Sequence, residues 1–426
     1  MNDQTPTPSP RRRFLQASAL AAGWTLAGLP QAWAGAAAGS PLSQRKLVLI
    51  MLRGAVDGLS VVAPVGDRNY APARPDLALA PPGSAEGAAL KLDSLFALHP
   101  ALLSLKPAWD QGSLAFVHAS GSPDPTRSHF DAQDYLESGT PGLKSTPSGW
   151  MNRLLGQLPG PASPTRGVAM GATPPRIFAG PAAVASLGLG PKALAGKAID
   201  QADLQQGLER LYAGDAKLGA SFQAALAGRG QMQRSMAGER EPAMNASGDA
   251  GAPSARSFAA DARRLGQLIR KDGQTQLAFT SVGGWDTHIN QGAAQGQLAN
   301  RLKALGEGLQ ALSQGLGPAL QDTVIVVMSE FGRTVHQNGT LGSDHGRGNV
   351  IWLLGGPVAG GRMLGEWPGL ESSALVDGRD LAVAVDFRQV LRPILQSHLG
   401  LSEAALAEVF PAAPGRWRGE AQVLRS

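Results

Sequence analysis

The sequence predicts an α/β fold, a layered sandwich around a mostly parallel central sheet. Short continuous apolar runs recur along the chain, helical patterns separate them, and turn-rich segments follow them. Hydrophobic residues make up 43% and charged residues 17% of the 426, enough apolar side chain for a large core and too much for disorder.

Lys46–Leu52 reads as a strand buried on both faces and ends in Arg53-Gly54-Ala55-Val56-Asp57-Gly58. Leu114–His118 is a second such run. Gln276–Val282 is the third and leads into Gly283-Gly284-Trp285-Asp286-Thr287-His288. Thr323–Met328 is the fourth, followed by Ser329-Glu330-Phe331-Gly332-Arg333. Val350–Leu354 is the fifth, entered from Ser343-Asp344-His345-Gly346. Apolar positions three and four apart predict helices over 99–110, 148–156, 200–226, 256–271, 294–316 and 381–399. From about 228 to 257 periodicity gives way to Gly, Ser, Arg and Met, which predicts a flexible loop inside one α/β domain spanning 45–411.

The first residues are a different kind of segment. Arg11-Arg12-Arg13-Phe14-Leu15, a weak apolar stretch and Ala32-Trp33-Ala34 form a signal peptide over 1–34 of the twin-arginine type. The expected location is periplasmic or otherwise exported, and the expected partner is the twin-arginine export machinery. Gly23, Thr25, Gly28, Pro30 and Gln31 interrupt the stretch, so no stable membrane span is expected after cleavage. With Arg11–Arg13 and Asp3 set aside, the formal charge of +5 shrinks, and no basic stripe interleaves with aromatics. Nucleic acid is therefore excluded as a partner. The absence of cysteine excludes disulfides, thiolate metal sites and a Cys nucleophile. Gly355–Gly361 follows a strand but lacks the G-x-G-x-x-G of dinucleotide binders.

Open α/β sheets bind ligands beyond the carboxyl ends of their strands, and Asp, Glu and His collect there. Asp57 is either a metal ligand at the sheet edge or a turn aspartate bonded to its own backbone. Asp286 and His288 lie two apart, on one side if extended, or serve as a cap and a surface histidine. Glu330 is either a ligand or the partner of a local arginine such as Arg333. Asp344 and His345 bind metal singly or together, or the aspartate orients the histidine. Pro125-Thr126-Arg127-Ser128-His129 opens a helix whose start, with Arg127, suits an anion. There Thr126 or Ser128 is a hydroxyl nucleophile if a metal lowers its pKa, or Ser128 is a plain helix cap. His99, His118 and His398 have no such context.

These segments, with Leu52–Leu59 and Gly121–Asp134, closely resemble a family of exported bacterial proteins known as domain of unknown function 1501. At one further remove the layout resembles the alkaline phosphatase and sulfatase superfamily. That resemblance implies a metal-dependent hydrolase acting on a small-molecule or polymer-borne phosphate or sulfate ester. It implies Asp57, Asp286, His288, Glu330, Asp344 and His345 as ligands of zinc, manganese or calcium. It implies Ser128, Thr126, Arg127, His129 and Arg333 around the reacting group. This chain departs from the pattern: the usual Asp-x-x-x-His is Asp286-x-His288 with Asn290 at the expected position, and the usual Asp-His is Glu330-Phe331. Without cysteine the sulfatase formylglycine is excluded. A non-catalytic binding or assembly protein on a degenerate hydrolase fold is the competing expectation.

Overall fold

Strand β1, Lys46–Leu52, sends alternate side chains into two separate cores. Val48, Ile50 and Leu52 join one with Phe258, Leu265, Leu302 and Leu309. Leu47, Leu49 and Met51 join the other with Trp150, Leu154, Phe387 and Val390. Helices therefore cover both faces of the sheet, which is why its strands read as unbroken apolar runs. Each fully buried Leu or Ile in them stabilises the fold by roughly 1.5–3 kcal/mol. The computed structural model describes residues 41–171, 173–190, 198–236, 252 and 254–425.

Eight further strands complete the main sheet: β2 Leu114–Gly121, β3 Gly167–Met170, β4 Ala185–Leu187, β5 Leu277–Val282, β6 Thr323–Ser329, β7 Asn349–Leu354, β8 Arg362–Leu364 and β9 Val385–Asp386. Their order is β8-β2-β7-β6-β1-β5-β3-β4, with β9 also pairing β2. Every pairing is parallel except those of β7, which runs antiparallel to both β2 and β6. The mostly parallel layered sandwich is thus the observed architecture. Because β7 is reversed, the loop that enters it lies at the same sheet edge as the carboxyl ends of β1, β2, β5 and β6. Ser343–Gly348 thereby joins the segments that follow those strands.

The helices of seven or more residues are α1 His129–Ser138, α2 Trp150–Gln157, α3 Ala202–Tyr212, α4 Ala216–Ser235, α5 Phe258–Lys271, α6 Gln297–Leu316, α7 Phe387–Pro393 and α8 Glu403–Val409. The pattern over 200–226 divides at residues 213–215. Helix α4 then runs on to Ser235, so the stretch expected as loop from 228 begins as helix, and 237–251 lie outside the described residues. The expected signal peptide over 1–34 also lies outside them. Among the described residues no helix is long and apolar enough to cross a membrane. Strands β3, β4, β8 and β9 were not expected, because two to four residues carry too little periodicity to stand out.

Asp57 differs from its expected role as a metal ligand. It is fully buried, and Arg74, also fully buried, grips it with Nη1–Oδ2 at 2.6 Å and Nη2–Oδ1 at 3.1 Å. Ser60 Oγ and Gln291 Nε2 donate to the same Oδ2 at 2.8 and 2.7 Å. Burial pushes the carboxyl up, but Arg74 and these hydrogen bonds hold it below its ordinary range. Protein donors thus engage both of its oxygens. Arg74 also donates to the Thr334 and Val335 carbonyls, so the pair ties the turn after β1 to the segment after β6.

Two predictions follow from buried polar groups. Asp57→Asn leaves Arg74 buried and unpaired, and chemical denaturation should register a loss of about 3–5 kcal/mol with the metal content of the folded protein unchanged. His99 and His118 each donate Nε2–H to a carbonyl, of Ala293 and Val62, and accept a backbone N–H at Nδ1, so both are held neutral. Burial lowers the pKa of His99, His118 and His398 to about 4. Below pH 6.5 the unfolded chain takes up protons that the folded one refuses, so this stability is complete above 6.5 and lost as pH falls towards 4. The thermal midpoint should drop across that window, and His118→Gln should flatten the drop.

Candidate metal centre

Ser128 caps α1 by accepting the Asp131 N–H at 3.4 Å, which places His129 at the first helical position, above the sheet edge. His288 stands on the loop after β5 and His345 on the loop into β7. Their rings meet: His345 Nε2 lies 3.1 Å from His129 Nε2 and 2.9 Å from His288 Nε2. Asp286 closes the group, with Oδ1 2.9 Å from His288 Nε2 and 3.2 Å from His345 Nε2, and Oδ2 3.5 Å from His129 Nε2. Phe331 backs it, stacked on His129 with ring centroids 4.9 Å apart.

The other nitrogen of each ring decides the chemistry. His129 Nδ1 meets Glu330 Oε1 at 2.8 Å, His288 Nδ1 meets Asp344 Oδ1 at 3.2 Å, and His345 Nδ1 meets the Arg127 carbonyl at 2.9 Å. These oxygens only accept, so each Nδ1 carries the proton and, in the neutral ring, each Nε2 is a bare lone pair. Three lone pairs and a carboxylate then face one another with no donor of their own between them. A cation answers that arrangement: His129, His345 and Asp286 offer donor atoms close enough together to hold a metal ion, and His288 Nε2 adjoins two of them. Otherwise a proton must. Burial lowers the His129 pKa, but Asp286 and Glu330 outweigh it and raise it to about 9. Burial raises Asp286, and its polar contacts with His129 and His345, together with Arg333, hold it well below the carboxylate range.

The sequence-predicted residues divide by position. Asp286, His288, His345 and His129 converge. Glu330 and Asp344, expected as ligands, stand behind His129 and His288. Glu330 is fully buried and also accepts from Gly54 N at 2.8 Å and Gln133 Nε2 at 2.9 Å, and Asp344 accepts from Asn338 Nδ2 at 3.0 Å. Arg333, expected beside the reacting group, is buried and committed to the framework. It donates to the Gly54, Ala55, Trp285 and Ser343 carbonyls and, at 2.6 Å, to Asp286 Oδ1, which locks three loops together. Arg127 pairs with buried Asp380. Thr126 Oγ1 accepts the Ser128 N–H at 3.2 Å, so both candidate hydroxyls shape the turn before α1. Gln133 and Asn338 went unnoticed in the sequence, where a lone amide carries no signal.

Glycine makes the packing possible at two points. A Cβ on Gly332 would lie 1.8 Å from the Gly348 carbonyl oxygen, and one on Gly342 would lie 2.2 Å from that of His288. Side chains there would force the loops after β5 and β6 away from the loop into β7. The side chain of Asp286 is 44% exposed and that of His288 37%, against 23% for His129 and His345, so the centre is open on the Asp286–His288 side.

No curated protein matches the chain. Among solved structures it is similar to a protein in the alkaline phosphatase superfamily from Vibrio parahaemolyticus, with 11% identity and a TM-score of 0.40 over 88% of this chain and 71% of that one. It is similar to the PsFucS1 sulfatase from Pseudoalteromonas sp., with 13% identity and a TM-score of 0.37 over 93% and 73%. It is also similar to the C-terminal periplasmic domain of EcEptC from Escherichia coli, in complex with Zn, with 11% identity and a TM-score of 0.34 over 73% and 72%. Residues 112–410 match the family described as "Protein of unknown function (DUF1501)". That match takes in every residue of the converging cluster, and the chain belongs to the DUF1501 family.

Proposed function

We propose that this protein is an exported, metal-dependent hydrolase of phosphate or sulfate esters. One observation carries the reading: the Nε2 lone pairs of His129 and His345 and the Asp286 carboxylate face one another at an open sheet edge, with the His288 Nε2 beside His345 and Asp286. His129, His288, His345 and Asp286 would hold the ion. Imidazole-rich donors suit zinc or manganese, whereas calcium prefers oxygen ligands throughout. A divalent cation there supplies Lewis-acid polarisation of an ester oxygen and activation of water.

The chain's own residues prepare that chemistry. Glu330, Asp344 and the Arg127 carbonyl fix each ring in the tautomer that presents Nε2. Arg333 keeps Asp286 ionised and aimed. With Ser128 and Thr126 engaged as turn acceptors, water is the attacking oxygen that this geometry favours. The paired arginines near the N-terminus favour delivery by the twin-arginine export machinery, which moves proteins already folded. The substrate is a small-molecule or polymer-borne ester.

A second reading, a non-catalytic binding protein, draws support from the same hydrogen bonds. Every carboxylate and imidazole in the group already has a protein partner, and none stands free as a general base.

Metal analysis and a panel of aryl phosphates and sulfates separate the two. The hydrolase reading expects bound zinc or manganese that is lost in His288→Ala and Asp286→Ala, and turnover abolished by His345→Ala. Glu330→Gln and Asp344→Asn should weaken metal binding by about 10–100-fold without removing it. Protein that stays metal-free in excess zinc and manganese overturns the proposal, and bound metal without turnover across the panel selects the binding protein.

A further inference from the structure

Helix α1 carries His129, Gln133 and Glu137 four residues apart, so the three stand in one stripe along its face. Each is held at the sheet edge. His129 Nδ1 donates to Glu330 Oε1 at 2.8 Å, just beyond β6, and Gln133 Nε2 donates to the same oxygen at 2.9 Å. Glu137 Oε1 accepts from Arg53 Nη2 at 2.6 Å, just beyond β1, and its Oε2 accepts the Ile177 N–H at 2.9 Å. Arg53 closes the row, because its Nη1 donates to Gln133 Oε1. Contacts therefore run unbroken from the His129 ring through Glu330, Gln133 and Arg53 to Glu137.

A primary amide can face two ways, and here both neighbours dictate the same one. Arg53 has only donors to offer, so the amide oxygen must face it. The ionised Glu330 has only acceptors, so the amide nitrogen must face that side. The reversed amide would set its oxygen against the carboxylate and its N–H groups against the guanidinium. Arg53 thus decides how Gln133 is turned, and buried Glu137 decides where Arg53 stands. Arg176, the other cation near Glu137, is itself paired with Asp134 at 2.7 Å. Glu330 Oε1 also accepts the Gly54 N–H at 2.8 Å, and Ser329 Oγ lies 2.9 Å from Oε2. Residues 53 and 54 therefore support the carboxylate twice, through Gln133 and directly.

We propose that Gln133 is a positioning residue for the centre: turned by Arg53, which Glu137 pins, its amide holds Glu330 where it keeps the His129 Nδ1–H engaged and Nε2 facing the cluster. Partners behind a metal-binding histidine fix its tautomer and orientation, and so its affinity for the ion. Here that control reaches two side chains further, to Arg53 and Glu137. The consequence for metal affinity rests on the metal-centre reading above; the placement of His129 stands without it.

Two readouts on the full chain test this. Zinc affinity is measured by competition with a chromogenic chelator. Solvent exchange of the His129 Nδ1 proton is measured by NMR on the metal-free chain, the resonance being identified by its loss in His129→Gln. Gln133→Met keeps the length of the side chain and removes both hydrogen bonds. It should weaken zinc by about tenfold or more and speed the exchange about fivefold or more, whereas a side chain that merely filled space would change neither. Arg53→Met is made together with Glu137→Gln, so that no buried carboxylate is left unpaired. That double variant should also weaken zinc, and adding it to Gln133→Met should weaken it no further, because Arg53 acts through Gln133. Zinc bound at parent affinity in Gln133→Met, or losses that simply add, overturns the proposal and leaves the metal centre in place. A parent that binds no zinc refutes the metal centre, and the exchange then decides: faster in Gln133→Met keeps the placement of His129, and equal rates overturn it.

Discussion

Three histidine rings that all spend their Nδ1 protons outward must turn three lone pairs inward, and Asp286 adds a carboxylate to the same point. Within the protein, the Arg333 guanidinium on Asp286 and a proton on His129 are what offset that concentration of electron density. The surrounding architecture serves this one constraint. Glu330 is buried to hold a ring, Arg333 is buried to hold Asp286, and Arg379, beside Asp380, holds the His345 carbonyl. A cation at the convergence makes each of these choices intelligible together.

The sheet makes the convergence possible. Four ligand-bearing or ligand-supporting segments leave the same edge only because β7 runs against its neighbours and so begins where they end. The loops then have to cross at backbone contact, which glycine permits at Gly332 and Gly342. Backbone strain collects in the same loops: Ala55, Asn290 and Leu341 all have positive φ, near +50 to +60°. Such strain persists where surrounding contacts over-determine a conformation, as they do where Arg333 binds four carbonyls and a carboxylate.

Much of this was legible in the sequence, for definite reasons. The runs that became β1, β5, β6 and β7 are buried on both faces, and an unbroken apolar run records that directly. The polar residues at their ends singled out Asp286, His288 and His345 as candidates, because a strand end fixes where the adjoining side chains emerge. Roles were harder to read. Glu330 and His129 are each adjacent to apolar residues in sequence, and only their spatial meeting decides that the ring faces the cluster while the carboxylate stands behind it. Asp57 followed a strand as a ligand would, yet Arg74, in a short helix-and-turn segment with no periodicity, claims it.

The most direct measurement is anomalous diffraction at the zinc edge from crystals of the zinc-incubated protein. The account predicts one strong peak within bonding distance, about 2.0–2.2 Å, of His129, His288 and His345 Nε2 and an Asp286 oxygen, with Glu330 and Asp344 beyond ligand reach. An absence of density at that point, or a peak held instead by Asp57 or by Glu330 directly, would contradict it.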